Sequence, residues 1–351
     1  MHKLHLFLFL SSLAGGAVFF FIGAPMPFLL GSVLGSAIFV LAYETPARKL
    51  PKFTPWVRLV FISLIGTMIG SRFTPEVLGI LPQFWATAAM IIPFILVAHA
   101  GNYWVLRHIG GYRRRDAYFA GLPGGIVDSI ALAEEMGADV RIVTAQHFIR
   151  IILVVVTVPL LFLFVTGDAV GSLAGETLGR GTPDAIDLGL IAVLAMTGLF
   201  LGRFLKLPVS HMMGPMLLAL TLSVTGVIEI DTPAWLLNLA QYMVGTSLGA
   251  QFSGMSRSFL LRCLRMGLVS GVWMLMLAIL IGYGLSPLVP VGFEAVFISF
   301  AAGGLTEMSL IALSLNLNPV IVALHHLARI FLTVWIGSFV VRRYFDFEAK
   351  P

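Results

Sequence analysis

Apolar runs long enough to cross a lipid bilayer recur from one end of this chain to the other, and they leave few architectures open. A spanning helix needs about 20 mainly apolar residues, and such runs lie near 4–22, 28–43, 57–71, 77–105, 141–166, 187–205, 211–228, 234–250, 260–285 and 319–341. Composition agrees: of 351 residues, 22 Lys+Arg and 17 Asp+Glu make 11% charged, where soluble domains average about 25%. The fold class expected is an all-α polytopic membrane protein whose main partner is the lipid bilayer. The formal charge of +5 does not form a nucleic-acid face, because the basic residues sit in short clusters between apolar runs, and no direct nucleic acid binding is expected. The lone Cys263 has no disulfide partner within the chain. The run from Leu4 to Ile22 follows Met-His-Lys as a signal peptide would, but a second copy of this region lies inside the chain, so it reads as a retained first helix.

Two further apolar stretches, roughly 117–136 and 293–315, are broken near their starts by glycines and carry a carboxylate. The first reads Leu122-Pro123-Gly124-Gly125-Ile126-Val127-Asp128-Ser129 and the second Ala301-Ala302-Gly303-Gly304-Leu305-Thr306-Glu307-Met308. They are copies of one element. An offset of 179 places Gly66-Thr67-Met68-Ile69-Gly70 on Gly245-Thr246-Ser247-Leu248-Gly249, Gly124-Gly125 on Gly303-Gly304, Asp128 on Glu307, and Gln146-His147-Phe148-Ile149-Arg150 on His325-His326-Leu327-Ala328-Arg329. An offset of 183 brings Pro25 through Gly31 onto Pro208 through Gly214. The organisation expected is therefore a first membrane repeat over 1–166, a linker over 167–186, a second repeat over 187–343 and a cytoplasmic tail over 344–351.

Charge in the short loops orients the halves, because cytoplasmic loops carry an excess of Lys and Arg. Basic loops hold Lys3; Arg48, Lys49 and Lys52; Arg107 and Arg113 to Arg115; Arg203 and Lys206; Arg257, Arg262 and Arg265; and Arg342 and Arg343. The linker, Glu229 with Asp231, and the approach to Glu294 are acidic or poor in base. If both glycine-broken segments are re-entrant, each loop falls on its preferred side with both termini cytoplasmic. Five spanning helices per half then make the second copy an inverted repeat of the first, a plan shared by many secondary transporters. A broken helix that crosses fully would change this count. The membrane expected is the bacterial inner membrane.

Unwound backbone at membrane depth is tolerated where it is buried in protein or lines a watery cavity, so each break marks a candidate site. The helix after each Gly-Gly pair turns free N–H groups and a positive dipole end into the gap, which suits an anion. The candidate substrate- or ion-binding residues are Gly124, Gly125, Asp128 and Ser129 in the first copy and Gly303, Gly304, Thr306 and Glu307 in the second. Asp128 and Glu307 read either as plain N-terminal caps or as holders of a proton or Na⁺. Arg150 and Arg329 lie about ten residues into their helices, near mid-membrane at about 1.5 Å per residue, where a charge needs a partner. Each pairs with Asp128 or Glu307 as a structural lock, or faces an anionic solute. His147 and His326 share a helical face with the arginines and read as proton relays or as packed, hydrogen-bonded rings. Gly31 with Gly35, Gly66 with Gly70 and Gly245 with Gly249 have the spacing of tight helix packing. No catalytic residue, metal ligand set or cofactor is expected, beyond a coupling ion that is H⁺ or Na⁺.

With these residues in place, Gly-Leu-Pro-Gly-Gly-Ile-Val-Asp-Ser at 121–129, the Gly-Thr-x-x-Gly segment at 66–70 and their second copies resemble the AbrB family of duplicated bacterial membrane proteins, over essentially the whole chain. Members carry the labels of regulators of gene expression or of ammonia monooxygenases, and neither chemistry is visible in these residues. The longest polar stretch is about 20 residues, short for a DNA-reading module, and the histidines lack ligand spacing on one helix. The expectation is a carrier or exporter, not an enzyme, of a small anionic or zwitterionic solute, moved by alternating access around the Gly-Gly tips. The competing class is a membrane sensor that alters gene expression, directly or through the solute. Association into a homo-oligomer stays open.

Overall fold

In a computed structural model of the protein, residues 2–43, 55–73, 75, 79, 81–166, 184–205, 207 and 209–344 are described. Among them the chain forms fourteen α-helices. The first seven are α1 (His2–Phe21), α2 (Pro27–Tyr43), α3 (Pro55–Gly70), α4 (Trp85–Trp104), α5 (Arg114–Ala120), α6 (Ile126–Glu135) and α7 (Val140–Thr166). The second seven are α8 (Ala185–Phe204), α9 (Ser210–Val224), α10 (Ala234–Ala250), α11 (Arg257–Leu285), α12 (Phe293–Phe300), α13 (Leu305–Ser314) and α14 (Pro319–Tyr344).

The duplication is written in the helix starts. His2 and Ala185, and Pro27 and Ser210, open corresponding helices at the longer of the two sequence offsets. Pro55 and Ala234, Arg114 and Phe293, Ile126 and Leu305, and Val140 and Pro319 do so at the shorter one. Pro55 and Pro319 are first helical residues, where a missing N–H removes no intrahelical bond. Asp184 caps α8, accepting from the N–H groups of Ile186 and Asp187 at 2.8 and 2.9 Å. Most of the linker expected at 167–186, the Arg48, Lys49 and Lys52 loop, and the tail beyond Tyr344 lie outside the described residues.

Among the described residues, six helical stretches are long and apolar enough to span a membrane: Leu4–Phe21, Pro82–Ile109, Val140–Phe164, Ala185–Phe204, Ser258–Leu288 and Pro319–Val341. Others among the ten expected runs are shorter helices, α2, α3 and α9 having 17, 16 and 15 residues. Rising about 1.5 Å per residue, such a helix falls a little short of a hydrocarbon core about 30 Å thick. The run expected at 77–105 is divided, with a 3-10 turn at Leu81–Phe84 before α4 and one π turn at Val105–Ile109 after it. The two glycine-broken stretches are each a pair of helices, α5 with α6 and α12 with α13, so the break falls mid-stretch instead of near its start.

Burial is distributed as a bilayer requires. Phe164, Phe21 and Phe204 are 90%, 84% and 82% exposed, while Asn102, Gln146, Gln241, Arg150 and Arg329 are buried. Large apolar side chains outward and polar groups inward is the pattern of a multi-pass membrane protein.

The chain divides into two compact units, and each draws on both halves. Unit 1 comprises Met1–Leu81, Val156–Gly254 and Ser309–Val320, and so contains α1 to α3 and α8 to α10. Its close contacts are made through glycines. A Cβ at Gly31 would run into the Gly15 carbonyl, and one at Gly214 into the Gly198 carbonyl, so α1 seats on α2 as α8 seats on α9. A Cβ at Gly66 would lie 2.5 Å from the Met212 oxygen, and one at Gly245 would lie 2.5 Å from the Leu29 oxygen. Thus α3 packs on α9 and α10 on α2, an exchange in which each half supplies the bed for the other's third helix. Side-chain bonds repeat the tie: Ser63 Oγ donates to the His211 oxygen at 2.8 Å, and Ser223 Oγ to the Phe73 oxygen at 2.9 Å. Bare helix backbones at this separation gain dispersion contacts that a side chain would block.

Unit 2 comprises Pro82–Val155, Met255–Met308 and Ile321–Pro351, and holds both breaks. Here α4 packs on α11, with Gly101 against the Trp273 indole, and α12 packs on α11 and α4, with the Phe94 and Phe300 rings edge to face at 5.3 Å. Tyr118 of α5 donates its hydroxyl to the Gly337 oxygen of α14 at 3.0 Å. A cluster including Leu106, Phe119, Leu122, Val143 and Val341 fills the space around the first break.

Candidate functional site

Helix α5 stops at Ala120, and a buried segment leads to Gly125, which opens α6 with φ +64°. That left-handed backbone favours glycine. Ser129 closes the turn from the other side: its N–H donates to the Gly125 oxygen at 2.7 Å and its hydroxyl to the Gly124 oxygen at 3.1 Å. The pair lies against α14. A Cβ at Gly124 would meet Thr333 Oγ1 at 3.4 Å and Ile330 Cα at 3.5 Å, and one at Gly125 would meet Val334 Cγ2 at 2.6 Å. Glycine is needed at Gly125, where α14 runs directly beside the break, while a Cβ at Gly124 would make ordinary contacts with that helix. Asp128 falls in the first turn of α6, but its side chain lies outside the described residues.

In the second copy α12 ends at Phe300 and α13 begins at Leu305. Gly304 precedes α13 with Glu307 in its first turn, and the Glu307 carboxylate lies so close over Gly304 that a side chain there would overlap it. A carboxylate folded over a helix N-terminus has both the unpaired N–H groups and the dipole in its favour. Thr306, Glu307 and Gly303 form the rest of this break, with Thr306 and Glu307 buried.

Buried guanidinium groups hold both breaks. Arg150 of α7 donates Nη1 to the Leu122 oxygen at 2.6 Å. Arg329 of α14 donates Nη1 to the Phe300 and Ala301 oxygens at 3.3 and 3.0 Å, and Nη2 to the Gly303 oxygen at 3.2 Å. Leu122, Phe300 and Ala301 lie at or just past the ends of α5 and α12, where the helix dipole is negative, and the Ala301 oxygen also accepts from the Gly303 N–H at 2.9 Å. Among the described residues, the hydrogen-bond partners of both arginines are backbone oxygens at the break. In each case Nε is buried without a hydrogen-bond partner. Arg150 and Arg329 are 5% and 3% exposed and near enough to repel one another. Two like charges in a low-dielectric interior are costly until an anion sits beside them.

The histidines sit one turn before the arginines. His147 Nδ1 lies 2.9 Å from the Val143 oxygen, and His326 has Nδ1 2.9 Å from the Val322 oxygen and Nε2 3.1 Å from the Ala301 oxygen. His326, Arg329 and the Gly303 N–H therefore crowd on the Ala301 carbonyl. Among the described residues no three His, Cys, Asp or Glu side chains come together as metal ligands.

Unit 2 thus gathers Gly124, Gly125 and Ser129 with Arg150 and His147, and Gly303, Gly304, Thr306 and Glu307 with Arg329 and His326. Ser129 faces its own turn, which makes it a fastener of the break. Three further buried polar groups of unit 2 are not among these candidates. Asn102 donates Nδ2 to the Gly121 oxygen at 3.1 Å, holding the end of α5. Thr333 is fully buried beside Gly124, its hydroxyl without a hydrogen-bond partner. His325 Nε2 meets Thr87 Oγ1 at 2.8 Å. A buried Asn within an apolar helix is itself a signal, whereas Thr333 and Thr87 look like ordinary helix residues in the sequence.

The family described as "Transition state regulatory protein AbrB" matches residues 6–345. The chain is 26% identical over 321 residues to the "Putative regulator AbrB" of Escherichia coli (strain K12), covering 91% of this chain and 90% of that protein. It is 25% identical over 341 residues to the "Uncharacterized protein YhjN" of Bacillus subtilis (strain 168), covering 92% and 88%. The match takes in both glycine breaks and both arginine helices, and the chain belongs to the AbrB family.

Proposed function

We propose that the protein is an ion-coupled secondary transporter, not an enzyme, for a small anionic or zwitterionic solute. The observation that carries this reading is the duplicated pair of buried arginines, each fastened to a helix break and each with an unpartnered Nε. Free guanidinium N–H groups beside a helix N-terminus suit a carboxylate or phosphate. Duplicated broken helices are the sites of many carriers, and that comparison is one of architecture. The loop charges support the rest of the assignment: two inverted repeats, re-entrant glycine segments, both termini cytoplasmic and residence in the bacterial inner membrane. A proton or Na⁺ drives the cycle, with Asp128 and Glu307 as coupling candidates.

The reading is tested by reconstituting the protein in liposomes and measuring gradient-driven uptake of labelled small organic anions and amino acids. Asp128→Asn and Glu307→Gln should abolish the dependence on the ion gradient in protein that still folds. Unchanged coupled uptake in both variants contradicts the coupling assignment. A second reading, regulation of gene expression, is favoured by the name of the Escherichia coli relative. It is reached here through the solute, whose level the carrier changes; saturable binding without flux would instead favour a sensor.

A further inference from the structure

A neutral imidazole has one N–H and one lone pair, so it satisfies one acceptor and one donor. His326 has a carbonyl oxygen at each nitrogen, Val322 at 2.9 Å from Nδ1 and Ala301 at 3.1 Å from Nε2. A carbonyl oxygen only accepts. Both contacts are hydrogen bonds when the ring carries two protons, and loss of one proton sets a nitrogen lone pair against an oxygen lone pair. The ring is wholly buried, so this mismatch sits inside the protein.

The other histidines nearby do not share the arrangement. His147, the first-half copy, is equally buried but meets a carbonyl only at Nδ1, and its Nε2 has no hydrogen-bond partner. A neutral ring with its proton on Nδ1 makes that bond and sets no lone pair against a carbonyl oxygen. His325 meets the Ile321 oxygen at 2.8 Å through Nδ1, and its Nε2 faces the Thr87 hydroxyl, whose one proton goes either to that nitrogen or to the Phe84 oxygen at 2.9 Å, so a neutral ring still finds a donor there, as it does not beside a carbonyl.

We propose that His326 is a proton-binding site of the carrier, beside the carboxylate candidates, and that H⁺ is its coupling ion, an inference that rests on the transport reading above. The proton adds to the free ring lone pair, and the N–H so formed donates to the carbonyl it faces; release restores the lone pair. The groups that set the balance come from three helices. Arg329 and His325 on α14 act on His326 electrostatically, Arg150 on α7 acts on Arg329, and the Glu307 carboxylate of α13 is buried at the same break. Burial of the ring first, and then the Arg329 charge, oppose the second ring proton, and an anion held at the arginines relieves the electrostatic part of that opposition. Proton and anion therefore favour each other's binding, which is the linkage a symporter needs. Sodium is the poorer candidate at this break, because the Phe300, Ala301 and Gly303 oxygens that would coordinate it are engaged by Arg329.

The test is nitrogen NMR of ¹⁵N-histidine-labelled full-length protein in lipid nanodiscs, with ring signals assigned through single His→Gln variants. His326 should show two protonated ring nitrogens at the acid end and one at the alkaline end of a titration between about pH 5 and pH 8. A single protonated nitrogen throughout overturns the proposal, and so do two throughout, since a fixed cation carries no proton across. The wild-type titration gives this answer even if His326→Gln does not fold. Where that variant folds, it should lose the dependence of uptake on an imposed pH gradient, and retained dependence also overturns the proposal. If wild-type liposomes take up nothing from the anion and amino acid panel, the transport reading fails, and with it the coupling role, while the NMR still shows whether the ring takes the proton.

Discussion

Arg329 donates to the Ala301 carbonyl at 3.0 Å, fastening α14 to the end of α12 across 28 residues of chain. Two further carbonyls, Phe300 and Gly303, share the guanidinium, whereas the corresponding Arg150 is bonded to the Leu122 carbonyl. Arg329→Gln should therefore destabilise the protein more than Arg150→Gln. A hydrogen bond to a charged group is worth about 1.5–3 kcal/mol, so the Arg329 variant should lose roughly 3 kcal/mol or more. Thermal unfolding of the two variants in detergent checks the order, and equal losses would contradict the bonding described.

Gly125 is the glycine with the strongest conformational need in the first break, with φ +64° and Val334 beside it. Gly125→Ala should cost about 1–3 kcal/mol, part from the left-handed backbone and part from overlap with Val334. Adding Val334→Ala should recover the overlap and leave the backbone cost. A double-mutant cycle on thermal stability separates the two, and simple additivity would show that Val334 does not press on this site.

Much of this arrangement is legible in the amino-acid sequence. The offsets of 179 and 183 fix which helices correspond, and helix starts such as Ile126 with Leu305 follow them to the residue. The breaks at Gly124-Gly125 and Gly303-Gly304 are legible as well, because two adjacent glycines weaken a helix where the surrounding apolar run would otherwise continue it. The arginine partners are not. A carboxylate is the obvious neighbour for a buried cation in a sequence, and a carbonyl at a helix end carries no residue signature, so nothing singles out Leu122 and Ala301. The exchange of α2, α3, α9 and α10 between halves is hidden for another reason: Gly66 and Gly245 mark close packing without saying against what.

That exchange predicts how the chain assembles. Because α3 beds on α9 and α10 on α2, neither half has a complete unit 1. Cutting the gene between residues 166 and 184 and expressing the two pieces separately should give little folded protein, while co-expression should give a complex that purifies together. A stable first half on its own would contradict the packing.

The glycine contacts within each half should also be intolerant of bulk. Gly31→Val would drive a side chain into the Gly15 backbone, and Gly214→Val would do the same at Gly198. Both should lower the yield of monodisperse protein severely, and to a similar degree because they are copies of one contact. Size-exclusion profiles decide it, and an unaffected profile for either would mean the helices stand further apart.

The central claim is that the buried arginines of unit 2 receive an anionic group of the solute. Its most direct measurement is uptake of labelled small organic anions and zwitterions into liposomes containing wild-type or Arg150→Gln protein, the latter chosen because, among the described residues, Arg150 is held by one bond, to the Leu122 carbonyl. The account predicts saturable wild-type uptake of at least one such solute and a loss of about tenfold or more in folded Arg150→Gln, the size expected when about 1.4 kcal/mol of binding is removed. Uptake by Arg150→Gln equal to the wild type, or wild-type liposomes no better than empty ones across the panel, would contradict it.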